Sequence, residues 1–330
     1  MIFENVFSFL PEILVGRGFL RKRYEASIVN AFSLAVLQSL NARNLPNPLS
    51  AIEVEKAYDR FGFKSAKSAV TCRHPRADLF VNIYNAGVAS QGLSLFGWRH
   101  YNWLEAKFFR RNEDGEPKVP STNAVLSVAE DLFRLCALIN FSAPQRTENI
   151  HGGLTKKTTA NISSGRYFLH VYEGNPEDFF GIKSVAHKQW LTDIRAFGMQ
   201  NITISIAPFI KKSKNFKKDF PPPLDQLTLN AKIKNFSFEQ EGKTDNSAIT
   251  CILTRLVSFK ITMGNLILEE DENRNRIEIS PNFGYSIRDA IGGLMGIGTK
   301  SKEKDIPVSQ DEITQFEEEF SNSYSNTDTV

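Results

Sequence analysis

Between Tyr101 and Phe109 the chain reads Tyr-Asn-Trp-Leu-Glu-Ala-Lys-Phe-Phe, an apolar run carrying an acid and a lysine two residues apart. Aromatic residues at this density favour a strand over a helix. Side chains alternate between the faces of a strand, so Leu104, Ala106 and Phe108 share one face and Glu105 and Lys107 the other. The run therefore predicts a sheet strand with one face against an apolar core. Charged side chains at the centre of such a strand are expensive to bury without a partner or a metal. The pair marks the place where chemistry is expected.

Arg76 to Tyr84 alternates in the same way, with Ala77, Leu79, Val81 and Ile83 on one face and Asp78, Phe80, Asn82 and Tyr84 on the other. Asp78 begins this strand, just after the turn-forming His74-Pro75. A hairpin closed through the region of Gly87, Gly92 and Gly97 brings Asp78 to the face of Glu105 and Lys107. Two converging carboxylates form a hard oxygen site suited to Mg²⁺, which keeps several of its waters. A lysine beside a metal-bound water orients it and offsets charge developing on a phosphate. This is phosphodiester hydrolysis chemistry. The plain alternative is a cross-strand charge pair at a sheet edge.

Asp78 followed by Glu105-Ala106-Lys107 resembles the acid and E-x-K signature of the PD-(D/E)xK nucleases, the restriction-endonuclease-like superfamily. The order of elements resembles the family's α-β-β-α-β core over roughly residues 20 to 173. A helix is expected from Tyr24 to Leu40, then the two strands, a helix near 121–140 and a strand near 166–172. The resemblance implies an α/β fold, with a restriction-endonuclease-like core of mixed β-sheet flanked by helices and a β-rich C-terminal part. It implies that Asp78 and Glu105 bind the metal with the Ala106 carbonyl, and that Lys107 assists the nucleophilic water. Glu25, on the preceding helix, resembles an acidic residue that many members add to the site. The implied cofactor is Mg²⁺, with Mn²⁺ as a substitute.

Two further E-x-K triplets, Glu116-Pro117-Lys118 and Glu241-Gly242-Lys243, lie in polar turns rather than in an apolar strand. Two features depart from the family pattern. No proline directly precedes Asp78, and the separation from Asp78 to Glu105 implies an insertion. The helix from Ala124 to Ile139 contains neither Gln nor Tyr, and so lacks the Q-x-x-x-Y motif of the exonuclease branch.

Basic residues give candidate nucleic-acid contacts. Lys156 and Lys157 lie in a polar loop from Ile150 to Gly165 that lacks the G-x-x-x-x-G-K-[ST] pattern of a P-loop. Lys211, Lys212, Lys214, Lys217 and Lys218 fall within eight residues and include one aromatic, Phe216. Such a density neutralises several phosphates, although a solvated linker before Pro221-Pro222-Pro223 reads equally well. The net charge of +3 conceals a division. Residues 299–330 carry three lysines against eight acids, so this tail is −5 and the remainder +8. The acidic tail is expected to be mobile, with a short helix near Ser309 to Phe320, and either shields the basic body or aids solubility.

These readings divide the chain into a core over 1–210 with N-terminal helices, a basic and proline-rich linker over 211–223, a β-rich region over 224–298 for specificity or dimerisation, and the tail over 299–330. Glu53 to Phe61 reads as a short helix ending at Gly62. Strands are expected over 200–207, 224–238 and 249–268, and the glycine-rich stretch from Ile291 to Gly298 as a helix end. No apolar run approaches the roughly 20 residues that span a bilayer, so no membrane is expected, and the start lacks the basic region of a cleaved signal. Cys72, Cys136 and Cys251 are odd in number and far apart, which predicts reduced thiols and a cytoplasmic location. Five histidines show no metal-ligand spacing.

The leading expectation is a Mg²⁺-dependent DNA endonuclease, most like a type II restriction enzyme, acting on double-stranded DNA as a homodimer. RNA as the substrate stays open. So do two other classes: a non-catalytic nucleic-acid-binding or assembly protein with a nuclease-like scaffold, and a structural protein of a phage or mobile element.

Overall fold

The run from Tyr101 to Phe109 is a strand near the middle of one mixed sheet. A computed structural model describes residues 2–16, 25–57, 76–88, 98–137 (save 113, 119 and 121), 165–180, 189–212, 224–240, 248–271, 276–279 and 291. In chain order the elements are helices α1 (Ile2–Phe7), α2 (Leu10–Gly16) and α3 (Glu25–Ala42), then strands β1 (Ile52–Ala57), β2 (Arg76–Asn82) and β3 (Tyr101–Phe109). Helix α4 (Thr122–Ala137), β4 (Gly165–Glu173), α5 (Pro176–Phe179), α6 (Gln189–Asp193), β5 (Gly198–Ser205) and α7 (Ala207–Lys212) follow. The last strands are β6 (Thr228–Gln240), β7 (Ile249–Met263), β8 (Leu266–Glu270) and β9 (Arg276–Ile279). The chain divides into a compact unit over Met1–Gly298 and a second unit over Thr299–Val330; none of the second unit is among the described residues.

The strand order is β1-β2-β3-β4-β7-β6-β5, with β8 and β9 added beside β7. Among the described strands only β3 and β4 run parallel; the other pairs are antiparallel. A parallel pair needs a long crossover, and α4 lies within the segment that connects β3 to β4. The 15-residue β7 pairs with β6 along one edge. Along its other edge it pairs first with β4, through Ile249 to Arg255, and then with β8, through Phe259 to Met263.

Each face of the sheet has its own apolar core. One is built from α4, the short helices after β4 and the inward side chains Trp103, Phe168, Tyr172, Ile202, Ile204 and Phe259. The other joins α1, α2 and α3 to Leu79, Val81, Leu104, Ala106, Leu169 and Leu253. Leu104 and Ala106 thus face one core while Trp103 faces the other, as the period of two requires. β4 is buried along all but its last residue, which fits a strand covered on both faces. Helices α3 and α4 bury the apolar positions that their 3.6-residue spacing marks, among them Ile28, Phe32 and Val36, and Val125, Leu132 and Phe133.

Two expectations are corrected. The segment from Glu53 was expected to be helical, but Ile52–Ala57 is a strand paired antiparallel with β2. Residues 249–268 form two strands, because a two-residue turn at Gly264-Asn265 reverses the chain, with Gly264 at φ 59°. The strands β6 to β9 continue the same sheet that holds β2 to β4. Helices α1 and α2 precede α3, in a part of the chain where helices were expected without stated bounds. Ile2, Phe3, Val6, Phe7, Leu10, Ile13 and Leu14 carry helical spacing and are all buried. No described helix is long and apolar enough to cross a membrane. Cys136 and Cys251 are buried free thiols.

Candidate active site

β2 and β3 pair antiparallel, with Leu79 opposite Leu104 and Phe80 opposite Trp103. Continuing that register sets Asp78 opposite Glu105, one step past the last paired residues. The Asp78 carboxylate takes the place of a ladder carbonyl: its Oδ2 accepts a 2.6 Å hydrogen bond from the Ala106 N–H. The neighbouring strand yields at the same level. Ile52 to Ala57 pair with Val81 to Arg76 in unbroken register except at Glu55, which would face Asp78 and instead adopts φ 52°. On the other side of β3, Lys107 lies beside His170 of β4.

Lys107 is the centre of the arrangement. Its Nζ lies 2.9 Å from Asp131 Oδ2 on α4 and 3.6 Å from Glu25 Oε1 at the start of α3. Arg134, one turn along α4 from Asp131, pairs with Asp131 and places its Nε 3.2 Å from Glu105 Oε1. The Phe108 backbone N–H favours the ionised form of the Glu25 carboxyl. Glu25 lies in the first helical turn of α3, where the dipole favours an acid. Glu105 and Asp131 are buried, whereas Glu25, Asp78 and Lys107 are partly exposed. The cluster therefore meets solvent on the side of Glu25, Asp78 and Lys107.

The electrostatics follow from this crowding. Burial raises the carboxyl of Asp78 above its ordinary range, with Lys107 and the Ala106 N–H opposing and Asp131 adding to the rise. Burial likewise raises Glu25; Lys107 opposes it, and Asp78 and Asp131 reinforce it. Burial alone would lower Lys107, but Asp131, Glu25, Asp78 and Glu105 together hold it above the usual lysine range. Glu130, next to Asp131, is raised to about 8, first by burial and then by the Asp131 charge. With Glu130 largely neutral, four carboxylates surround two cations, Lys107 and Arg134.

The structure thus brings together Glu25, Asp78, Glu105, Ala106 and Lys107 from the sequence expectations. Lys156, Lys157, Lys214, Lys217 and Lys218 lie outside the described residues. Lys211 and Lys212 end α7, which follows β5. That strand lies four strands from β3 in the sheet order, about 19 Å at the usual spacing. Asp131, Arg134 and Glu130 were missed. Their signal was in the sequence: three charged residues within the apolar stretch Ala129-Glu130-Asp131-Leu132-Phe133-Arg134-Leu135. Among the described residues, no three His, Cys, Asp or Glu side chains stand in an arrangement that holds a metal ion.

No family model, curated protein or solved structure matches the chain.

Proposed function

We propose that this chain is a metal-dependent phosphodiesterase of the restriction-endonuclease-like kind, cutting double-stranded DNA internally. The observation that carries this reading is the gathering of Asp78, Glu105 and Glu25 about Lys107 at the end of one central strand. The order α3-β1-β2-β3-α4-β4, with β3 parallel to β4, supports it: it is the α-β-β-α-β order that the sequence resemblance implies, with β1 added between α3 and β2. Cutting both strands with one site per chain calls for a homodimer.

The donor set fits Mg²⁺. Asp78 and Glu105 offer hard oxygens, and Mg²⁺ is commonly held by one or two carboxylates with water completing its shell. The Ala106 carbonyl leaves β3 on the same side as its N–H, toward Asp78 and past the last paired residues of β2. Asp78, Glu105 and the Ala106 carbonyl would therefore hold the ion. Once bound, it would polarise the phosphate and lower the pKa of a coordinated water.

The remaining work falls to the side chains. Lys107, held in its ammonium form, is a donor rather than a base; it orients the attacking water and offsets charge on the phosphate. Glu25 stands beside it to accept the proton that the water gives up. Asp131 fixes the lysine, and Arg134 fixes Glu105.

A second reading is favoured by the same two cations. Because Lys107 and Arg134 already pair with the carboxylates, and no three acids form a metal-holding group among the described residues, a non-catalytic nucleic-acid-binding scaffold fits as well. The two readings separate in one experiment: supercoiled plasmid and linear phage DNA incubated with Mg²⁺ or with EDTA, beside the Lys107→Ala and Glu105→Ala variants. A nuclease gives Mg²⁺-dependent cutting that each variant reduces by roughly 100-fold or more. Binding that persists in EDTA and in Lys107→Ala, without cutting of DNA or RNA, assigns the scaffold role instead.

A further inference from the structure

The sheet ends on one side at β5, and β6 is the only described strand that pairs with it. Its sequence, Gly-Met-Gln-Asn-Ile-Thr-Ile-Ser, contains no charged residue and no proline. Ile202 and Ile204 point into the core, while Met199, Asn201 and Thr203 are exposed on the opposite face. Phe197, just before the strand, is 73% exposed, and Met199 is 47% exposed. The pairing of β5 with β6 is continuous over all eight residues, so no bulge twists the edge away. An edge of this length, about 27 Å, presents a row of backbone donors and acceptors that proteins ordinarily blunt with charge, proline or irregularity.

The other edges are blunted. β1 carries Glu53, Glu55 and Lys56 and is broken by the left-handed backbone at Glu55. β9, short at four residues, carries Arg276 and Glu278. β5 is the exception.

We propose that β5 is the edge through which two copies of this chain associate, pairing antiparallel with each other about a two-fold axis normal to the sheet. Such an axis keeps the Ile202 and Ile204 side of both copies on one face, so the two sheets continue as one. The strand is uncharged, so two copies meet without like charges in contact although the chain as a whole is basic. Self-pairing also closes: among the described strands it uses the one unblunted edge of each copy, whereas pairing of β5 with β1 of a neighbour would propagate into a fibre. Phe197 and Met199 would be covered at the margins. The inference does not depend on the nuclease reading.

Sedimentation of the purified full chain over a wide concentration range tests it, beside the double variant Asn201→Lys, Thr203→Lys. Both positions are exposed, so the variant should keep the parent's circular dichroism and melting temperature at low concentration, while four lysines would meet across the paired strands. The parent is expected to sediment as a dimer, and the variant as a monomer at the same concentration. As a second measurement, the outward-facing amides of Met199 to Ser205, every second one along the strand, should gain hydrogen-exchange protection in the concentrated parent and not in the variant. A parent that stays monomeric throughout, or a variant that dimerises as well as the parent, would overturn the proposal.

Discussion

Glu130 and His170 are two buried titratable residues with opposite consequences. Glu130 is 8% exposed, and its Oε1 has no hydrogen-bond partner among the described residues. Its carboxyl is raised to about 8 from an ordinary 4.5, chiefly by burial. The folded chain therefore holds a proton between these pH values that the unfolded chain releases. The stability linked to it is complete below about 4.5 and lost as pH rises through about 8. The slope reaches at most about 1.4 kcal/mol per pH unit. Glu130→Gln keeps the neutral shape without the titration, so its melting temperature should fall less than the parent's across that window and lie above it at pH 9. Parallel melting curves for the two proteins would show that Glu130 is charged when folded. His170 is fully buried, its Nδ1 2.9 Å from the Tyr172 hydroxyl and its Nε2 3.2 Å from Thr254 Oγ1. Burial first, and then Arg195, lowers it to about 3 from 6.5, so its share of stability is lost as pH falls through that range. The comparison of Glu130→Gln with the parent cancels this opposing slope.

At the scale of elements, β1 shows how pairing overrides local preference. Glu, Lys and Ala favour helix, yet Ile52 and Val54 alternate with Glu53 and Glu55, and β2 supplies an exposed row of backbone groups to pair with. Extended structure wins because it satisfies both strands. Glu55 bears the consequence, at φ 52° directly across from Asp78. A non-glycine residue in this region carries roughly 1–3 kcal/mol of strain. Its ion pair with Arg76 is exposed on both sides and contributes little. Glu55→Gly should therefore stabilise the protein by about 1 kcal/mol in denaturant unfolding. A loss of stability would mean that the Glu55 side chain, and not its backbone, shapes the strand there.

Across the whole molecule, the fork of β7 is where two parts of the sheet are joined. Arg166, at the start of β4, forms a buried ion pair with Glu270, at the end of β8, and its guanidinium lies 5.1 Å from the centre of the Phe259 ring. Removing one partner leaves a buried charge uncompensated, which typically costs about 3–5 kcal/mol. Glu270→Ala should destabilise by that amount. The double variant Arg166→Met, Glu270→Met should recover most of it, since apolar side chains of similar length can fill the same space. Equal losses in the single and double variants would show that the pair specifies the junction in a way that apolar packing does not replace.

The alternation in Tyr101–Phe109 and Arg76–Asn82, and the helical spacing in α3 and α4, could be read from the chain because local periodicity follows from which face must be buried. Asp78, Glu105 and Lys107 were legible for the same reason, as charges at fixed places in apolar strands. Tertiary structure decided what no local pattern encodes. Register put Asp78 across from Glu105; the packing of α4 on β3 brought Asp131 and Arg134 to Lys107 and Glu105; and the pairing of β7 with β4 joined the C-terminal strands to the central sheet. These are contacts between residues distant in sequence, chosen by which long-range pairings together bury the two apolar faces.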